Sequence, residues 1–336
     1  MLRSYGTLVG SLLLFFLLSA AWLLGWMGEP MDAPALTLFG WSLRVPPAVQ
    51  LGIGVLLTLL DGVLLVRLVG ENALYDTRSS LGNLQPVSLH PQSPVFFLLM
   101  GCAPFALPLT AGTLCLPLTI IALIILVTTH QQRRAVSEYA AAFLLLGLAS
   151  LFVPQWLLLV PFILIGCLLL GSLTLRTFMA ALLGLIAPWW TGAGVLFLMD
   201  ETERFLVPLQ TLVDAPTFGH LVSLPLGQLC GLVVVTLLAL PALVHYPAVG
   251  PALKERSRVA WLCLVLLLVG ALFLAYAQPP VTPLLYPLLA ALTSLFVAQL
   301  ICTLRNRRSR VICQIVMLIV FLLYASRPLW MPSSIS

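Results

Sequence analysis

Charge is what this sequence has least of. Asp, Glu, Lys and Arg make up 8% of the 336 residues, against roughly a quarter in a soluble domain. Hydrophobic residues reach 61% and mean hydropathy is +1.11, more apolar surface than a water-soluble core could absorb. The seven cysteines lie within or at the ends of apolar runs and form no C-x-x-C pair, which excludes a disulfide or thiolate-metal framework and leaves them as small packing residues. The four histidines, His90, His130, His220 and His245, are dispersed without zinc-site spacing. No Walker motif, G-x-S-x-G, H-E-x-x-H or dinucleotide fingerprint occurs, so ATP hydrolysis and soluble-type hydrolase chemistry have no support.

What is present is a series of long apolar runs, organised around Glu138 to Trp190. Three runs lie in that stretch, one ending before Pro154, one from Gln155 to Gly171 and one from Thr177 onward, with Arg176 the charge between them. In hydrocarbon the backbone has no water to bond, so each run is expected to be a helix of about the 20 residues a bilayer requires. Pro188 is expected to interrupt the last of these. Gly147, Gly166, Gly171 and Gly184 are candidate points of close helix approach.

Taken along the chain, the pattern predicts an all-α transmembrane bundle of eleven spans. The first, Tyr5 to Trp26, contains a Ser19-Ala20-Ala21 triplet resembling a signal-peptidase site but is too long for a signal core, so it reads as an uncleaved helix. A mixed loop over 27–46 follows, then spans near 47–69, 95–109 and 114–129, the third shortened or kinked by Pro104 and Pro108. After the organising stretch come a polar segment, 200–222, and spans near 223–244, 259–277, 282–304 and 311–324. Residues 1–222 form a seven-helix module and 223–336 a four-helix module of one membrane domain. Gly227 and Gly231 have the G-x-x-x-G spacing of packed helices.

The basic residues carry topology rather than nucleic-acid recognition. With the N-terminus cytoplasmic, thirteen of the sixteen Lys and Arg fall on the cytoplasmic side, leaving Arg44, Arg204 and Arg327 outside, the asymmetry expected of a multi-pass protein with an outward C-terminus. The Arg305 to Arg310 cluster anchors two helix ends or attracts anionic lipid. Six of eleven acidic residues and most tryptophans lie toward the outer face.

Candidate chemistry is sparse. Asp61 is the acidic residue well inside a span, about 10 Å from its cytoplasmic end by the helical rise. Such a group marks either a structural pair, with Arg67 or a neighbouring helix, or a working site. Glu29 and Asp32 share the first outer loop with Trp41 and Arg44; the two carboxylates could hold a divalent cation or deprotonate an acceptor hydroxyl, or simply be solvated. Arg44 or Arg204 could hold a lipid phosphate. Trp189 and Trp190 read either as a sugar-stacking platform or as interfacial belt residues.

The stretches FLLLGLASLF and LRTFMAALLGLIAPWW, following a basic turn at 130–134, resemble an uncharacterised family of bacterial polytopic inner-membrane proteins. The layout is also similar to the GT-C superfamily of glycosyltransferases that use polyprenyl-phosphate sugars, whose seven conserved helices precede a variable set. That resemblance covers residues 1 to 200. It implies a bacterial inner-membrane protein that handles a lipid-linked glycan, with Glu29 and Asp32 in the place of the acidic pair of such enzymes, although the adjacent Asp-Asp or Asp-Glu is absent. A non-catalytic assembly partner or a transporter are the alternatives.

The topology is checked by single cysteines on a cysteine-free background. Those at Ser79 and Ser309 are expected to be shielded from an impermeant thiol reagent in intact cells and one at Ser333 to react; labelling at Ser309 removes the eleven-span arrangement.

Overall fold

The computed structural model describes residues 36–39, 41–43, 45–71, 74, 92–103, 105–132, 134–213, 224–249 and 253–303. The expected first and eleventh spans, Glu29, Asp32 and Arg44 lie outside the described residues. Within them the chain is helical apart from one short hairpin, β1 (Leu36–Leu38) paired antiparallel with β2 (Trp41–Leu43). The helices are α1 (Pro47–Glu71), α2 (Gln92–Cys102), α3 (Ala111–Thr128), α4 (Val136–Phe152), α5 (Val160–Leu169, entered through a 3-10 segment Pro154–Leu159) and α6 (Leu175–Leu198). A 3-10 turn (Thr202–Phe205) then leads to α7 (Leu206–Val213), and α8 (Leu226–Val249), α9 (Glu255–Ala277) and α10 (Thr282–Thr303) follow.

Six of these helices are long and apolar enough to cross a membrane, namely α1, α3, α6, α8, α9 and α10 with its preceding turn, while α4 and the segment Pro154–Leu169 are apolar but shorter. The chain is therefore a multi-pass membrane protein by helix length and composition. The expected third span is the furthest from expectation. It forms an 11-residue helix, about 16 Å long by the helical rise and half a bilayer. Residues 105–109, which include Pro108, then run irregularly to the Thr110 cap of α3. Pro188, by contrast, does not interrupt α6, which runs continuously to Leu198; a proline inside a membrane helix is tolerated where neighbours satisfy the freed carbonyl.

The bundle is arranged around α10, 89% of whose apolar window is buried inside the protein. It packs against α2, α3, α8 and α9, and so touches helices on both sides of the boundary expected at residue 222. Its middle is small or short, with Ala290, Ala291, Ser294 and Ala298 all buried, which lets several backbones come close where packing rather than water exclusion drives association. The opposite extreme is α6, with 22% of its window buried. It leans mainly on α4, and its outer side presents Leu175, Leu183, Ile186, Trp190, Phe197 and Leu198. Such a surface is stable facing lipid.

The α4–α6 contact is set by two of the expected glycines. A Cβ at Gly147 would meet the Leu185 carbonyl oxygen at 2.6 Å, and one at Gly184 would strike the Ala140 carbonyl oxygen. Gly166 is pressed against Cys263 of α9, whose thiol donates to the Gly166 carbonyl at 3.1 Å. Gly171 departs from expectation: nothing lies within 4 Å of its Cβ position, and its φ of +68° shows a left-handed turn closing α5 instead. The α6 N-terminus follows, capped reciprocally by Thr174 and Thr177. Behind it, the Tyr139 hydroxyl and Ser172 Oγ lie 2.7 Å apart, tying α4 to the turn.

Because the obstacle at Gly184 is backbone that cannot rotate away, Gly184→Ala is expected to destabilise the protein by about 1–3 kcal/mol. Gly194→Ala in the same helix, with open space around it, is expected to be neutral or slightly stabilising. Thermal unfolding of both variants in detergent checks the pair.

Candidate functional site

Residues 36–43 alternate apolar and polar on either side of Phe39-Gly40, and the register pairs Leu36 with Leu43 and Leu38 with Trp41. The turn is therefore two residues long, a connection that favours positive φ. Phe39 adopts it at φ 48°, unusual for a bulky side chain and costing about 1–2 kcal/mol. Its ring accounts for the cost. It is buried edge-on against Trp189, 6.3 Å between centroids, and stacked on Phe205, also 6.3 Å. Trp189 and Phe205 meet edge to face at 6.0 Å.

The far end of α6 positions the polar groups above this aromatic floor. Asp200 takes the left-handed cap at φ 59°, a conformation Asp tolerates. The Glu201 and Asp200 amides donate back to the Leu196 and Phe197 carbonyls at 2.9 and 3.2 Å, the pairing that closes a helix with a sharp change of direction. Glu201 thereby emerges beside the hairpin. Its Oε2 accepts from Trp41 Nε1 at 3.2 Å and pairs with Arg204 Nε at 3.2 Å. The Arg204 guanidinium also lies over the Trp41 ring, 5.7 Å from its centroid, a cation–π contact. The group is partly exposed, with the Arg204 and Glu201 side chains 42% and 34% accessible.

Of the residues expected to form an outer site, the structure brings Arg204 and Trp189 together with Trp41, but in different layers. Trp189 is 8% exposed, lies perpendicular to the rings of Phe39 and Phe205, and donates from its Nε1 to Ser150 Oγ at 2.8 Å. Trp190, next along the helix, turns away and is 78% exposed on the outer side of α6. The two rings do not share a surface. Glu201, Phe39 and Phe205 were not expected; the turn signal Phe39-Gly40 between alternating residues was available, but inside the stretch read as a mixed loop.

Asp61 lies elsewhere, in the middle of α1. That helix extends to Glu71, which places Asp61 about 15 Å from its end rather than 10 Å. The residue is 1% exposed, and its Oδ1 has no hydrogen-bond partner among the described residues. Arg67, the expected partner on the same helix, falls off the buried stripe and is exposed. Among the described residues no three His, Cys, Asp or Glu side chains could hold a metal ion.

Comparison with protein-family models, curated proteins and solved structures gives no match to this chain.

Position 39 offers a test of how the hairpin is held. Phe39→Ala keeps the strained backbone and loses the ring, whereas Phe39→Gly loses the ring and relieves the strain. Both are expected to unfold more easily than the parent, and the glycine variant is expected to be the more stable of the two by about 1 kcal/mol, the reverse of the usual order, by denaturant titration in detergent.

Proposed function

We propose that the protein binds a phosphate-bearing lipid, a polyprenyl phosphate or its glycan conjugate, at the face where the hairpin meets residues 200–205. The observation that carries this reading is the state of Arg204. Its Nε is engaged by Glu201 and its plane by Trp41, while its two terminal nitrogens have no partner among the described residues. A guanidinium held in this way keeps its planar fork for a phosphate, with part of its conformational freedom already lost. In the last turn of α6, which leads into the 3-10 turn that carries Arg204, Phe197 and Leu198 are exposed, so an acyl or polyprenyl tail can follow the helix into lipid while its headgroup meets Arg204.

In the orientation expected from the basic residues this is the outer face of a bacterial inner membrane, and the role is in envelope-glycan handling as a GT-C-like or degenerate glycosyltransferase. The groups present act by positioning and electrostatics. Glu29 and Asp32, just upstream of the hairpin in sequence, are the candidates for a catalytic or cation-holding pair, with Arg44 a second phosphate contact. A non-catalytic assembly partner is the reading that remains if this site binds no lipid.

The test is binding of undecaprenyl phosphate by the purified protein in nanodiscs. Loss of charge-assisted hydrogen bonds worth about 1.5–3 kcal/mol corresponds to roughly a 10- to 100-fold weaker Kd for Arg204→Ala. Arg204→Lys, which keeps charge without the fork, is expected to fall between, and Asp32→Ala to weaken binding of the glycan conjugate. Parent-like binding by a folded Arg204→Ala protein, or no binding by the parent, overturns the proposal.

A further inference from the structure

The outer site leaves Asp61 without a role. On α1 the residues Gly54, Thr58, Asp61, Leu65 and Leu68 recur at helical spacing and are all buried, while Val49, Ile53, Leu56, Leu60 and Val63 are exposed on the other side. The buried stripe faces the α2–α3 hairpin. A Cβ at Gly54 would strike the Leu107 carbonyl oxygen, one at Gly62 would meet the Phe97 ring, and the Leu109 amide donates to the Gln50 carbonyl at 2.9 Å. Asp61 therefore sits within protein at mid-helix and not at a lipid-facing edge where it could reach an interface.

A bare carboxylate in this position costs several kcal/mol unless something accompanies it. Among the described residues the groups facing it are few. The titratable side chains of α2 and α3 are Cys102 and Cys115, and the Cys115 thiol is directed to the Ala149 carbonyl of α4. On α1 itself Arg67 is exposed, and Glu71 is at the helix end. The Thr58 hydroxyl, one turn away, is spent on the Gly54 carbonyl at 2.8 Å. No described cation or donor satisfies Oδ1. A metal ion would need several oxygen ligands, and among the described residues no three His, Cys, Asp or Glu side chains could hold one. A proton needs only the carboxylate.

We propose that Asp61 is a proton-exchanging site inside the bundle, reached from the hairpin face. The direction follows from the same stripe. Between Asp61 and the hairpin end of α1 the buried side chains include Thr58 and Gln50, whose amide donates to the Val45 carbonyl at 2.8 Å. Beyond Asp61, toward Glu71, they are Leu64, Leu65, Leu68 and Val69, an apolar seal. The proton comes from water on the hairpin side, adds to the carboxylate oxygen to give the neutral acid, and leaves by the same route.

Dicyclohexylcarbodiimide, which couples to neutral carboxylic acids in apolar surroundings, is the probe. In purified full-length protein it is expected to form an adduct that peptide mass spectrometry maps to Asp61, with yield falling at least tenfold as pH is raised and reaching background in Asp61→Asn. The infrared carbonyl band of the acid is expected to rise and fall with pH in the parent, to shift in Asp61→Glu, and to vanish in Asp61→Asn. Thr58→Val is expected to slow the response of that band to a pH jump, with Leu65→Val leaving it unchanged. A folded parent that is not labelled at Asp61, or an acid band that does not respond to pH, overturns the proposal; the second result would make Asp61 a fixed structural acid. Mapping on the parent stands even if Asp61→Asn fails to fold, and none of these readouts depends on lipid binding at Arg204.

Discussion

In hydrocarbon a peptide group that is not bonded within the protein has nothing else to bond to, and this constraint shapes the helical bundle. It makes each described apolar run helical, caps the N-termini of α3 and α6 with reciprocal threonine pairs, and confines the irregular backbone of Leu107 to Leu109 to a place where α1 covers it. Once the helices exist, lipid gives them no hydrophobic reason to associate, because a leucine is as well solvated by acyl chains as by another leucine. Association then depends on contact distance. The small buried residues of α10 and the glycines between α4 and α6 supply it.

The hairpin face is governed by different physics. There the chain leaves hydrocarbon, side chains regain access to water, and aromatic and charged groups are combined. Phe39, Trp189 and Leu196 form a small satellite cluster separate from the main core, with Phe205 packed against it, and the Glu201–Arg204–Trp41 group adjoins it. An exposed ion pair contributes little to stability. Its effect is on geometry, holding one guanidinium in a single orientation at the end of a helix whose exposed side is mostly apolar.

Most of the helical architecture was legible because membrane helices announce themselves by length and composition, so seven of the runs between residues 47 and 303 fall within a few positions of the helices found. The shortfall at α2 lies where the sequence places Pro104 and Pro108, residues whose effect on helix length depends on what covers the freed backbone. The error at Pro188 has the same origin with the opposite outcome. At the outer face, Arg204 could be singled out as a rare external cation, but its partners could not. Glu201 reaches Trp41 across 160 positions, and no local pattern encodes that contact. The inward turn of Trp189 and outward turn of Trp190 follow from helical geometry, but only after α6 is known to pass through Pro188 unbroken.

The left-handed backbone at Phe39 means that the hairpin does not carry the information for its own shape. A turn with Asn or Gly at that position would be ready in the isolated strand pair; this one is unfavourable until Trp189 and Phe205 are in place to receive the ring. Those two residues arrive with α6 and the turn after it, more than 100 positions later in synthesis. The first-made part of the face is thus the last to settle, and a chain arrested before α6 has been inserted presents residues 36–43 without the site.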